Sequence, residues 1–194
     1  MITIGFIGTG LMGLPMAKNI LKSGFKLKAF NRSIEKAEPL KEFGAEISKS
    51  ISDVVKDSDF IITMLTDDSA VDAITSSTDF LDNLKSGSTV IDMSSVKPTT
   101  ATKYGNSLKS KNINYLDAPV SGGTIGAEEA SLAIMVGGEQ SVFDISAPNS
   151  FIGSALLIER LNAFSLKPDF NKFIAIGRPI RPVPIKPIFI MVSV

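Results

Sequence analysis

The feature that most constrains this chain lies in its first thirteen residues, where the apolar run Ile2-Thr3-Ile4-Gly5-Phe6-Ile7 passes directly into Gly8-Thr9-Gly10-Leu11-Met12-Gly13. A strand that enters Gly-x-Gly-x-x-Gly and leaves as a helix has few structural solutions. Gly8 makes the tight turn, Gly10 lets a ligand approach backbone that a Cβ would shield, and Gly13 lets the helix pack close against the strand. The free N–H groups and positive end of that helix then face a phosphate. Glycine-rich turns also arise for purely steric reasons, and methyltransferases carry related loops, so context has to decide. Ala17, Ile20 and Leu21 fall at helical spacing, Gly24 supplies a stop, and Lys26-Leu27-Lys28-Ala29-Phe30 reads as a second strand. A βαβ unit of the size that binds a dinucleotide is the result.

Beyond it the pattern keeps alternating. Ser33 is placed to cap a helix running to Phe43 and stopped by Gly44, with Pro39 demanding a late start or a kink. Residues 59–65 read as a buried parallel strand, 66–69 as the cap of a helix carrying Val71 and Ile74, and 88–93 as another strand. Lys97-Pro98-Thr99 opens a helix with proline in its tolerated first turn. Residues 114–117 and 132–136 are further strands, the second just before Gly137-Gly138. Such alternation predicts an α/β fold with a doubly wound, mostly parallel sheet and ligands at the carboxyl ends of its strands.

Near Ser146 the texture changes. Six of the ten prolines follow it (Pro148, Pro168, Pro179, Pro182, Pro184 and Pro187), and each would cost a helix interior about 3 kcal/mol. No long helix is expected past Gly177. The apolar end, 188–194, is far shorter than the roughly 20 residues of a membrane span and reads as a strand or as disordered. The chain therefore divides into a nucleotide-binding domain, 1–147, and an atypical Pro-rich tail, 148–194, either disordered or read in a shifted frame.

Composition narrows the chemistry. The 194 residues carry no net charge and are 44% hydrophobic, enough for one core and a small appendage and without the basic excess of a nucleic-acid binder. With no Cys and no His, thiolate nucleophiles, zinc-thiolate sites and imidazole bases are excluded, and no metal site is expected. Proton transfer falls to Lys, Tyr, Asp, Glu or water. The first strand starts within two residues of the N-terminus, which leaves no room for a targeting segment and suggests a cytoplasmic protein.

The end of the second strand, Phe30-Asn31-Arg32-Ser33, selects between cofactors. A carboxylate there would bind the ribose 2′-hydroxyl of NAD, whereas arginine accommodates the 2′-phosphate of NADP. Arg32 offers a fork of donors, Asn31 and Ser33 add neutral ones, and no acid is present, so NADP(H) is favoured over NAD(H). The absence of that acid also counts against a methyltransferase. Alternatively, Arg32 is a solvated charge beside a helix cap.

A second motif, Asp117-Ala118-Pro119-Val120-Ser121-Gly122-Gly123-Thr124-Ile125-Gly126-Ala127, puts a hydroxyl and two flexible amides just past a strand end. It suits a substrate carboxylate, or is a plain Gly-rich turn.

The two motifs together resemble the β-hydroxyacid dehydrogenase family, which includes 3-hydroxyisobutyrate dehydrogenase, tartronate semialdehyde reductase and the glyoxylate/succinic semialdehyde reductases. Its Rossmann-like N-terminal domain shares the fold of 6-phosphogluconate dehydrogenase. Residues 5–17 look like the family's cofactor signature, and 117–123 with 134–138 like its substrate signature. Met64-Leu65-Thr66-Asp67 and Asp92-Met93-Ser94-Ser95 match segments on the nicotinamide side. The resemblance implies reversible hydride transfer between NADP(H) and a small 3-hydroxy or 2-hydroxy acid or its semialdehyde. Gly8, Gly10, Leu11, Met12, Gly13, Asn31, Arg32, Ser33, Met64, Leu65 and Ser95 would hold the cofactor, and Ser121, Gly122 and Gly123 the substrate carboxylate.

In the family a lysine on a long helix, followed four residues later by asparagine, protonates the alkoxide. Lys167 and Asn171 keep that spacing, but the preceding glycines are missing and Pro168 puts Lys167 at a cap. Lys167 is the candidate catalytic residue, or else an ordinary exposed lysine. The family's helical C-terminal domain, which closes the cleft and builds the dimer, has no counterpart. Impaired activity is expected, a homo-oligomer would lack its usual interface, and the alternative is a non-catalytic NADP(H)-binding module.

Overall fold

Burial along the strands decides the architecture. In the computed structural model, which describes residues 2–146, 172–175 and 189–192, the first strand, β1 (Thr3–Ile7), sends Ile4 and Phe6 into one apolar cluster and Ile7 into another. A strand buried on both faces needs helices above and below. Helix α1 (Gly13–Lys22) covers the first face with Met16, Ala17 and Ile20, and β2 (Lys26–Phe30) returns parallel to β1. Gly24, with φ of 87°, ends the helix as its spacing predicts.

The helix expected over 33–43 is instead two 3-10 segments, Ile34–Lys36 and Glu38–Phe43. Ser33 makes no side-chain cap, and Pro39, which lacks an N–H, sits at the start of the second segment. Two short elements carried too little periodicity to be read: β3 (Glu46–Ile47), and α2 (Ile51–Val55), capped by Ser50 through the N–H of Asp53 at 3.2 Å.

Strand β4 (Phe60–Thr63) is followed by α3 (Asp68–Thr75), capped by Asp67 as expected, and by α4 (Thr78–Leu81). Next come β5 (Thr89–Asp92), α5 (Pro98–Lys109) with proline in its first turn, and β6 (Asn114–Asp117). Val54 and Val55 of α2, Phe80 of α4 and Leu108 of α5 bury the second face.

The expected strand 132–136 is divided. After β7 (Val120–Ser121) and α6 (Gly123–Glu128), β8 (Ala133–Ile134) pairs with β7 in a sheet of its own, while β9 (Gly137–Gly138) crosses to the main sheet. Met135, whose N–H donates to the Pro119 carbonyl at 3.0 Å, sits at the crossing. Helix α7 (Gln140–Ser146) follows. Strand β10 (Lys172–Ala175) pairs antiparallel with β11 (Phe189–Val192), so part of the apolar end is extended. The six late prolines and Lys167 lie outside the described residues.

The main sheet has the order β3-β2-β1-β4-β5-β6-β9, parallel except for β9, and is doubly wound as predicted. Strand order reverses between β1 and β4. Folds of this kind take their ligand at that switch point, beyond the carboxyl ends of the strands.

Candidate functional site

The turn after β1 is held by its own backbone and by one side chain. Gly8 has φ of 102°, and a Cβ there would stand 2.3 Å from the Met64 carbonyl oxygen. Its N–H donates to the Phe30 carbonyl at 2.9 Å. The Thr9 N–H donates to Asn31 Oδ1 at 3.0 Å, and Asn31 Nδ2 donates to the Ser33 carbonyl at 2.9 Å. Asn31 thus locks the turn to the end of β2, using both ends of its amide. At Gly13 a Cβ would lie 1.8 Å from the Gly8 carbonyl oxygen, so α1 can only pack this closely without one.

Gly10 is different. It is exposed, and nothing lies within 4 Å of where its Cβ would be. Intrahelical bonding starts with the Leu14 N–H, which reaches the Gly10 carbonyl at 3.0 Å. The N–H groups of Gly10, Leu11, Met12 and Gly13 have no acceptor among the described residues, no side chain caps α1, and its first turn carries no acid. Four unspent donors at the positive end of a helix, beside an open backbone position, fit a dinucleotide diphosphate.

At the end of β2, Arg32 is exposed and has no ion pair or hydrogen bond among the described residues, and the Ser33 side chain caps nothing. A cavity of about 590 Å³ runs from Thr9, Gly10 and Leu11 to Lys18, Lys36 and Pro39. Lys36, which sequence reasoning did not single out, lines it together with Lys18, Lys22 and Glu128, whereas Arg32 is not among the lining residues.

Met64 and Leu65, both half-buried, lie just past β4. The Leu65 N–H donates to Ser94 Oγ at 2.9 Å. Ser94 is fully buried and its own N–H donates to Asp92 Oδ1 at 3.0 Å, an oxygen that also accepts from Thr63 Oγ1 at 2.8 Å. Ser95, the serine singled out from sequence, is exposed. Ser94 is therefore the scaffold of this turn and Ser95 its outward neighbour.

Ser121 ends β7, Gly122 joins it to α6 and Gly123 begins α6; all three are exposed, past the loop that follows β6 on the same edge of the sheet. That loop is tied to β5 by the Ala118 N–H, which donates to the Asp92 carbonyl at 2.7 Å. Asp117 lies opposite Asp92, and burial followed by the Asp92 charge pushes its carboxyl up to about 6. Burial raises Asp92 as well, against hydrogen bonds from Ser94 and Thr63 that lower it. Among the described residues no three His, Cys, Asp or Glu side chains cluster to hold a metal ion.

A doubly wound sheet with a diphosphate cradle at its switch point defines a dinucleotide-binding domain of the Rossmann class. Residues 3–149 match the model of the NAD binding domain of 6-phosphogluconate dehydrogenase, and the chain belongs to that family. Its curated relatives include the oxidoreductase YkwC of Bacillus subtilis, 44% identical over 75% of this chain and 51% of its own length. Another is the 2-(hydroxymethyl)glutarate dehydrogenase of Eubacterium barkeri, 40% identical over 76% of this chain and 49% of its own. Among solved structures, 3-hydroxyisobutyrate dehydrogenase of Mycobacterium tuberculosis with L-serine superposes with a TM-score of 0.76 at 32% identity, covering 81% of this chain and 53% of that one. The chain spans about half the length of the curated relatives it matches. No helix among the described residues is long and apolar enough to cross a membrane.

Proposed function

We propose that this chain is the cofactor-binding part of an NADP(H)-dependent oxidoreductase that moves hydride between the nicotinamide and a small 3-hydroxy or 2-hydroxy acid, or the matching semialdehyde. One observation carries the reading: the four unspent N–H groups beside the open Gly10 position. The cofactor supplies the hydride, so the residues of the chain have only to bind, orient and exclude water. Arg32, with no acid at 31–33, favours a 2′-phosphate over a bare ribose hydroxyl. Leu65, fixed through Ser94, and Met64, whose N–H donates to the Ile7 carbonyl, would set the face that the nicotinamide presents.

The Ser121 hydroxyl and the amides of Gly122 and Gly123 would take the substrate carboxylate. The relatives favour the 3-hydroxy class, because 2-(hydroxymethyl)glutarate and L-serine both carry a primary alcohol one carbon beyond the carbon that bears the carboxylate. Lys167 is our candidate proton donor and lies outside the described residues. A second reading is a non-catalytic NADP(H)-binding module, which the same free N–H groups and open Gly10 position would serve equally well.

One assay separates them. The full chain is mixed with NADPH and with tartronate semialdehyde, whose reduction gives a primary 3-hydroxyl, or with glyoxylate for the 2-hydroxy class, and both binding and NADPH oxidation are followed. Turnover that Lys167→Ala abolishes supports the enzyme. Binding without turnover, unchanged by Lys167→Ala, supports the module, and absence of binding sinks both.

A further inference from the structure

The parallel register aligns Thr63, Asp92 and Asp117 in one row at the carboxyl ends of β4, β5 and β6. Neighbouring strands are about 4.8 Å apart, and residues in register point to the same face. Here that face is covered by α2, α4 and α5. Asp92 is 1% exposed; its Oδ1 is used by Thr63 and Ser94, while its Oδ2 is buried without a partner. Asp117 Oδ1 and the Tyr115 hydroxyl, two residues earlier on β6, are also buried without partners.

The titratable group facing the two carboxyls is Tyr115 on β6, and Tyr104 on α5 in turn faces Tyr115. Tyr104 donates to Asp72 on α3, which also takes Lys103. No cation faces the carboxyls directly among the described residues. Two ionised carboxylates side by side, with no cation, would each lose hydration and repel the other. One proton between the orphan oxygens removes a charge and gives both a hydrogen bond.

We propose that Asp92 and Asp117 hold a single proton between them, and that this pair is the positioning element that registers the nicotinamide-side turns with the substrate loop; the proposal rests on the cofactor and substrate reading above. Asp92 touches all three turns of the site. Its carboxylate holds the Ser94 N–H, Ser94 Oγ holds the Leu65 N–H, and its carbonyl holds the Ala118 N–H that leads to Ser121. Deprotonation of the pair sets two charges against each other between β5 and β6. The turns on either side then lose their common register.

The test uses the full chain. Carboxyl 13C NMR of aspartate should show two coupled carboxyls, one of them titrating above the ordinary range; two independent, ordinary titrations overturn the proposal. Asp92→Ala should raise the NADPH Kd about tenfold and speed exchange of the Leu65 and Ser94 amides, with β2 amides unchanged. In Asp92→Asn the amide replaces the shared proton, so it should restore affinity to within about twofold while removing the pH dependence that wild type shows relative to it. An Asp92→Asn as weak as Asp92→Ala overturns the proposal. Should Asp92→Ala not fold, Asp117→Asn decides: affinity kept and pH dependence lost supports the pair, and unchanged pH dependence overturns it. A wild type that binds no dinucleotide refutes the cofactor reading, and the NMR titration then decides the pair by itself.

Discussion

Alanine at Gly10 and alanine at Gly13 should fail in opposite ways, although both lie in the same turn. At position 13 the new Cβ would sit 1.8 Å from the Gly8 carbonyl oxygen, where a carbon and an oxygen need about 3.3 Å. The turn and α1 must part by roughly 1.5 Å, and the Met16, Ala17 and Ile20 face lifts from the sheet with them. Overpacking of this kind costs ~1–3 kcal/mol, which for a domain of this size is a fall of roughly 3–10 °C in Tm. At position 10 the Cβ meets nothing within 4 Å and the backbone is not left-handed. Stability should hold or rise by ~0.4–1 kcal/mol through the loss of unfolded-state freedom. The methyl instead fills the approach to the four free N–H groups. Losing close contact with a diphosphate should weaken NADPH by about thirtyfold, equivalent to ~2 kcal/mol. Thermal melts and NADPH fluorescence titrations of the two variants read both effects. A Gly10→Ala protein that binds NADPH as tightly as wild type would refute the cradle, whatever Gly13→Ala does.

Three other outcomes follow from single contacts. Arg32→Ala should weaken NADPH about tenfold and leave NADH unchanged, measured by the same titration; equal losses for both would remove the 2′-phosphate role. Phe80, fully buried on the second face of the sheet, should cost about 3–5 kcal/mol when cut to alanine, read by urea unfolding; a cost under about 1 kcal/mol would mean that α4 does not pack there. The folded-state pKa of Asp117 is raised from 3.8 to about 6, so its contribution is fully present in acid and is lost as pH rises through that window. Wild type should lose on the order of 1–3 kcal/mol from this group between about pH 4 and pH 7, and Asp117→Asn should not. Unfolding midpoints that shift equally between the two pH values in both proteins would contradict it.

Much of the fold could be read because it depends on neighbours along the chain. The Gly8-to-Gly13 turn, the bounds of β2, the Asp67 cap and the Pro98 start of α5 each follow from local sterics or capping, and all appear where the residues put them. The stretch 33–43 misled because apolar spacing suits a helix while Pro39 and an unengaged Ser33 leave only 3-10 turns. Residues 132–136 misled because an apolar run says nothing about which sheet it joins.

The site divides along the same line. Gly10 and the free amides are properties of a short segment, so the primary structure alone determined that a phosphate is welcome there; the absence of an acid after β2, equally local, is what the proposed NADP(H) preference rests on. Which serine braces Leu65, that Lys36 faces the same cavity as Gly10, and that Asp92 stands against Asp117 were decided only by packing. Those groups lie 25 or more residues apart in chain order, and strand register, set by burial on both faces of the sheet, is what makes them neighbours.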